Sequence, residues 1–260
     1  TAKRIISWLS NHQLTYEDSD NEFKLKFNQS IKKQANHLLN EIENSKEFEN
    51  KMIGCAAIIL VGLAYKDHKN CLSHGLNLLK KIIKSSIDNQ GFPKSRNIKQ
   101  LIFYLKYFII IREWFRESQN TVPEYIDETI YYLGQCYCFI WQNINQDILF
   151  NGNCHSNNNE FDQYLKRFGY KFKNENRELA GYAILKNKKI TLVMDIGGSP
   201  NKKFSNNYQS GALSLEIISN GKKLISNSGY FFNRKNKLHK LSKSTALQST
   251  LIIEDYSSCN

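Results

Sequence analysis

Arg96 and Asn97 stand side by side immediately before an apolar run that opens at Ile98. A guanidinium can grip a carboxylate through two parallel hydrogen bonds, and a carboxamide adds a neutral donor. Side by side they could neutralise a negatively charged group on a substrate. Asn97 has a second reading, because asparagine just ahead of a helix caps its first turn. The two roles are compatible.

Candidates for acid–base work are scattered. His12, His37, His68 and His74 fall in helical or connecting stretches and read as structural, while His155 sits in an Asn-rich loop and His239 in a basic linker. With 14 tyrosines in the chain, spacing alone selects none as a base. Tyr104 and Tyr107 follow the Arg-Asn pair on one expected helix, and Tyr131, Tyr132 and Tyr137 share another. Cys136 and Cys138 lack a second Cys/His pair at metal-ligand spacing, and Cys55 lies inside an apolar run. Structural or inert thiols are therefore expected, with no metal among them.

The formal net charge of +12 favours polyanionic partners. The Lys and Arg residues are spread out rather than gathered on one helical stripe, so a compositional bias toward Lys, Asn and Ile explains them equally well. No helix-turn-helix, RNP-like or zinc-finger signature accompanies the charge, so nucleic acid is not expected as a partner. The longest apolar run, residues 53–64, falls well short of the roughly 20 residues a membrane span needs. The chain begins at Thr1 without methionine and reads as a fragment of a longer product.

The elements that must position these residues fall into two kinds. Phe23, Phe27, Ile31, Leu38, Leu39 and Ile42 recur at three- and four-residue steps, the pattern of an amphipathic helix. Residues 53–64 are apolar nearly all round, which predicts a helix buried between neighbours. Further helices are expected over 72–87, 98–115 and 122–141, the last started by Pro123. Short connections predict antiparallel hairpins. Beyond Phe150 the pattern changes. Asn151-Gly152-Asn153 and residues 156–159 mark a loop, and a short helix is expected around 161–168. Strands are expected over 181–185, 190–195, 213–218, 223–227 and 251–254, with Asn220-Gly221 supplying the positive-φ pair of a type I′ hairpin. Helices first and strands afterward predict an α+β chain divided at 1–150 and 151–260.

Two strand segments carry a resemblance. Residues 209–217 read Gln-Ser-Gly-Ala-Leu-Ser-Leu-Glu-Ile, and residues 243–251 read Lys-Ser-Thr-Ala-Leu-Gln-Ser-Thr-Leu. Both resemble signature segments of the heparinase II/III family of polysaccharide lyases. The segment Gly91-Phe92-Pro93-Lys94-Ser95-Arg96-Asn97 is similar to that family's toroid loop, and Phe150-Asn151-Gly152 and residues 193–197 have counterparts too. The resemblance implies an incomplete α/α toroid followed by an antiparallel β-sandwich, with β-elimination of an acidic, uronate-containing polysaccharide in a cleft. It implies roles for Arg96 and Asn97 as carboxylate neutralisers, for Tyr104 as a candidate base and for His155 as the histidine nearest the cleft. Tyr208, Gln209 and Gln248 would contact substrate.

Where the family has histidine, this chain has Gln209 and Gln248. Glutamine can bind a sugar but cannot take up a proton at useful pH. Amide oxygen is also a poor zinc ligand, so neither the structural zinc of some relatives nor any other cofactor is expected. Two functions stay open: a lyase, or a catalytically degenerate glycan-binding or cell-envelope protein of the same fold. The family implies the periplasm or cell envelope; the cytoplasm is the alternative.

Overall fold

In the computed structural model, which describes residues 1–155, 159–254 and 256–258, helices fill the first half of the chain and strands gather in the second. Helix α2 (Asn21–Glu41) starts where the Asp20 side chain accepts from Phe23 N at 2.7 Å, and it buries Phe27, Ile31 and Ala35 along one stripe. Helices α1 (Ala2–Ser10) and α3 (Phe48–Ala64) pack against α2, and α4 (Lys69–Ser86) packs on α3. α3 is buried on every side from Met52 to Gly62, as its uniform apolarity predicts. Two glycines let α3 and α4 approach closely. A Cβ on Gly62 would fall 2.4 Å from Leu72 N, and one on Gly75 would fall 2.6 Å from Ile59 Cγ1.

Helix α5 (Ile98–Glu117) and helix α6 (Glu124–Tyr137) complete the helical series, and α6 starts directly after Pro123. The helix expected to run to residue 141 gives way after Tyr137 to a π turn over Cys138–Gln142. The chain divides into two compact units, Thr1–Ser86 with Tyr104–Ile130, and Ile87–Phe103 with Tyr131–Asn260. The first is helical throughout. The second joins the loop before α5 and its first turns to everything after Ile130, including α7 (Asn159–Arg167) and the sheet.

The sheet is an antiparallel meander, β1 (Glu178–Leu179), β2 (Tyr182–Lys186), β3 (Ile190–Asp195), β4 (Leu215–Ser219) and β5 (Lys222–Ile225), paired in that order. Asn220 and Gly221, at φ 47° and 75°, make the turn between β4 and β5 that their types predict. Alternation separates two faces. Tyr182, Ile184, Val193, Asp195, Glu216 and Ile218 are buried on one, while the in-register row Leu185, Leu192, Ile217 and Ile225 on the other is half-buried or exposed. The buried face carries an aspartate and a glutamate, and that is where the site lies.

Three expectations need correction. Residues 251–254 form no strand; Leu251 and Ile253 are exposed, with only an isolated bridge from Ile253 to Tyr256. Ser249 and Thr250 tie to residues 212–215 by single hydrogen bonds, so the apolar residues that follow have no ladder to join. Their Ser/Thr/Ala lead-in is a 3-10 turn, Thr245–Leu247. The basic linker contains a short helix, α8 (Lys237–Leu241), capped by the Asn236 side chain on Leu238 N. Of the expected loop at 156–159, residues 156–158 lie outside the described residues. Among the described residues no helix is long and apolar enough to cross a membrane.

Candidate functional site

A buried polar cluster occupies the second unit, built from the loop before α5, the turn at residues 150–153 and the ends of β2 and β3. Arg96 adopts φ 57°, a strained value for an arginine, and turns its side chain inward. Its Nη2 donates to Asp195 Oδ1 at 2.6 Å and to Gly181 O at 2.8 Å; its Nη1 donates to Gly197 O and Gly198 O, both at 3.1 Å. The guanidinium also sits over the Tyr182 ring, 4.8 Å from its centroid. Burial by itself would lower the Arg96 pKa, but Tyr182 and Asp195 outweigh it and hold the group above its ordinary value. The guanidinium therefore stays charged.

Asp195 is 1% exposed, and its second oxygen accepts from Asn151 Nδ2 at 2.8 Å. The same Asn151 amide donates to Tyr182 Oη at 2.8 Å, and Tyr182 Oη donates to Arg96 O at 2.8 Å. The four residues thus close a ring of hydrogen bonds, its last link made to the Arg96 backbone carbonyl. Burial pushes the Tyr182 phenol above its ordinary pKa, with Arg96 opposing, so it remains a neutral donor.

Asn97 follows Arg96 and is 6% exposed. Its Oδ1 accepts from Gln100 N at 3.1 Å, the cap its position predicts for α5. Its carboxamide lies against Gly152, where an added Cβ would fall 2.3 Å from Asn97 Nδ2. Only glycine fits there, and Gly152 also stands at φ 83°.

Gln209 is 1% exposed. Its Oε1 accepts from Gly152 N at 3.0 Å, and its Nε2 donates to Gly229 O at 3.1 Å and to Ser242 O at 2.7 Å. Gln248 Nε2 donates to the same Ser242 carbonyl at 3.1 Å. The two glutamines are therefore joined through one acceptor. Glu216, wholly buried on β4, accepts from Leu149 N at 3.1 Å and Asn227 N at 3.0 Å and pairs with Lys223 Nζ at 2.7 Å. Leu149, Asn151 and Gly152 are thus each held by different side chains, so the 149–152 segment is fixed at three of its four residues.

Of the expected site residues, the structure brings Arg96, Asn97, Gln209 and Gln248 into this cluster. Tyr208 is buried beside it, near enough to raise the pKa of both Arg96 and Tyr182. Two expectations change in kind. Arg96 was expected to meet a substrate carboxylate, yet the carboxylate it meets is Asp195. Gln209 was expected to touch substrate, yet its amide is spent on three backbone groups. Tyr104 belongs to the first unit and is fully buried there, its phenol pushed up to about 12 by desolvation. That burial keeps a sugar from reaching it. His155 holds its ring in solvent, 78% exposed, with Nδ1 4.0 Å from Asp147 Oδ2.

Asp195, Tyr182, Asn151 and Glu216 were not singled out from sequence. The signal for two of them is an acid inside an alternating apolar strand, facing the buried side of a strongly basic chain. The residues do not fit a zinc ion. Gln209 Oε1 already accepts from Gly152, Asp195 is neutralised by Arg96, and among the described residues no three His, Cys, Asp or Glu side chains group to hold a metal.

Residues 175–260 match the family model described as Heparinase II/III-like, C-terminal. No curated protein sequence matches the chain. Among solved structures, heparinase III aligns at TM-score 0.75 and 16% identity, over 98% of this chain and 47% of that one. Heparan sulfate lyase HepC from Pedobacter heparinus aligns at TM-score 0.76 and 16% identity, over 98% and 45%. The heparinase III BT4657 gene product aligns at TM-score 0.78 and 16% identity, over 98% and 45%. The likeness shows the fold, helical toroid followed by antiparallel β-sandwich, and the chain spans about half the length of the structures it matches.

Proposed function

We propose that this chain carries part of the active site of a heparinase II/III-like polysaccharide lyase that cleaves an acidic, uronate-containing glycan by β-elimination. The observation that carries the reading is the meeting of the Arg96-Asn97 loop with Asp195 at the end of β3 and Gln209 in the loop before β4, in one buried cluster. Sequence likeness over 175–260 and fold likeness over nearly the whole chain support it.

β-Elimination removes the proton next to the uronate carboxylate, forms a carbon–carbon double bond and expels the glycosidic oxygen. The proton is acidic enough only when the carboxylate charge is offset as negative charge develops. In our reading Asn97 Nδ2 supplies that donor, because Asn97 Oδ1 is committed to the α5 cap. Arg96 serves indirectly: its ion pair with Asp195 fixes the backbone from which Asn97 projects. His155, solvent-exposed and beside Asp147, is the candidate to exchange protons with solvent or substrate. Gln209 cannot do so. An acidic polymer as substrate also leads us to place the protein in the periplasm or at the cell envelope.

The test is incubation with a panel of uronate polysaccharides, heparan sulfate first, while following the ultraviolet absorbance of the unsaturated product. New absorbance on any of them supports the lyase. Tight binding without absorbance on every one would replace it with a glycan-binding protein.

A further inference from the structure

Gln209 reaches three segments that are far apart in the chain. A carboxamide offers two N–H donors and one acceptor oxygen, and here both ends are used: Gly229 O and Ser242 O receive, and Gly152 N gives. Burial of the group means that no water substitutes for these bonds.

Gly152 is the wall on which the Asn97 carboxamide rests. A methyl on Gly152 would lie 2.3 Å from Nδ2, 2.9 Å from Cγ and 3.3 Å from Oδ1, so the whole amide plane lies across the glycine α-carbon. The Asn97 side chain is thus located by two contacts, Gln100 N on its oxygen and Gly152 at its back. The flanking residues are tied independently, Asn151 by Asp195 and Tyr182, and Asn153 by Ile148 O, at 2.7 Å from its Nδ2. The peptide between them is tied to a side chain by Gln209.

We propose that Gln209 is a positioning residue: an uncharged latch that holds Gly152 against Asn97 and thereby sets where the Asn97 amide points. The proposal rests on the reading of Asn97 as the donor to the substrate carboxylate. Its physical part, the latch, does not. The histidine-to-glutamine change in this chain is then a change from a titratable side chain to a fixed one, and it need not disable the site.

Amide hydrogen exchange on the unaltered protein is the first test. Gly152 N–H should exchange as slowly as the amides of β3 and β4; exchange at the rate of an open loop would overturn the latch. The second test is Gln209→Met, similar in length but unable to make any of the three bonds. Gly152 should then exchange about 100-fold faster with β3 and β4 unchanged. On a cleaved glycan, kcat should fall about 10- to 100-fold with KM within about twofold, as expected when a group acting in the transition state is misplaced. Parallel loosening of the whole sheet, or unchanged kcat with Gly152 released, would overturn the positioning role. If the unaltered protein cleaves nothing, the lyase reading fails, and the exchange of Gly152 still decides the latch.

Discussion

Arg96 and Asp195, 99 residues apart in the chain, meet at 2.6 Å with almost no exposure to solvent. Each also holds a second element. Arg96 gathers the backbone carbonyls of Gly181, Gly197 and Gly198, and Asp195 takes the Asn151 amide. The pair therefore ties the loop before α5 to β3 and to the 150–153 turn. Those attachments, more than the ion pair's own electrostatic energy, determine what its loss would do, since a buried pair gains little over its desolvation cost.

Asp195→Ala removes the charge that offsets a buried guanidinium and takes away one of the two acceptors of the Asn151 amide. Breaking one side of such a pair costs about 3–5 kcal/mol. Equilibrium urea unfolding should show a loss of this size. A loss below about 1 kcal/mol would mean that water or another group readily replaces Asp195, and the rigid-cluster account would be wrong.

Asn97→Ala separates capping from chemistry. Loss of the α5 cap should cost about 1 kcal/mol, which thermal unfolding can read. If Asn97 also meets the developing charge, turnover should fall about 100-fold, the scale seen when one preorganised donor is removed. A drop in stability with turnover intact would confine Asn97 to the cap.

Much of this arrangement was legible before the structure. The 3.6-residue pattern of α2, the uniform apolarity of α3 and the Asn220-Gly221 turn each report a local backbone preference, and those are what sequence states directly. The resemblance at residues 209–217 pointed to Gln209, and the loop similarity to Arg96 and Asn97. Partnership was not legible. An arginine reads as a free carboxylate ligand until a fold places Asp195 against it, and strand alternation gives Asp195 a face without naming what it faces. Residues 251–254 failed for the same reason: a short apolar run permits a strand, but a ladder needs a neighbour, and among the described residues β5 pairs only with β4. Tyr182, an aromatic at a strand start, reads as ordinary core, although its hydroxyl closes the ring of hydrogen bonds.

Gly152→Ala tests the packing behind Asn97 directly. The methyl meets the Asn97 amide at 2.3 Å, and φ 83° is unfavourable for any residue with a Cβ. Both effects act together, so we expect a destabilisation of about 1–3 kcal/mol by urea unfolding. The Gly169 site is the control: it also has positive φ, 76°, but open space around its Cβ. Gly169→Ala should cost only the backbone share, roughly 1 kcal/mol. Equal losses at the two positions would show that Gly152 is not in tight contact with Asn97.

The alkaline limb of stability tests the placement of Tyr104. Desolvation raises its phenol to about 12, with a Ser86 hydrogen bond opposing, against an ordinary value near 10. A pKa raised by folding means that the folded state keeps its proton where the unfolded chain loses it. The unfolded state then gains by ionising above about pH 10 while Tyr104 in the fold cannot follow. Its effect is absent below pH 10, and stability falls as pH rises from about 10 to 12, by up to about 2–3 kcal/mol from this one group. In urea titrations across that window, Tyr104→Phe should flatten the fall relative to the unaltered chain, because phenylalanine has no proton to lose. An equally steep fall in both proteins would place Tyr104 where water reaches it, and would reopen the case for it as a base.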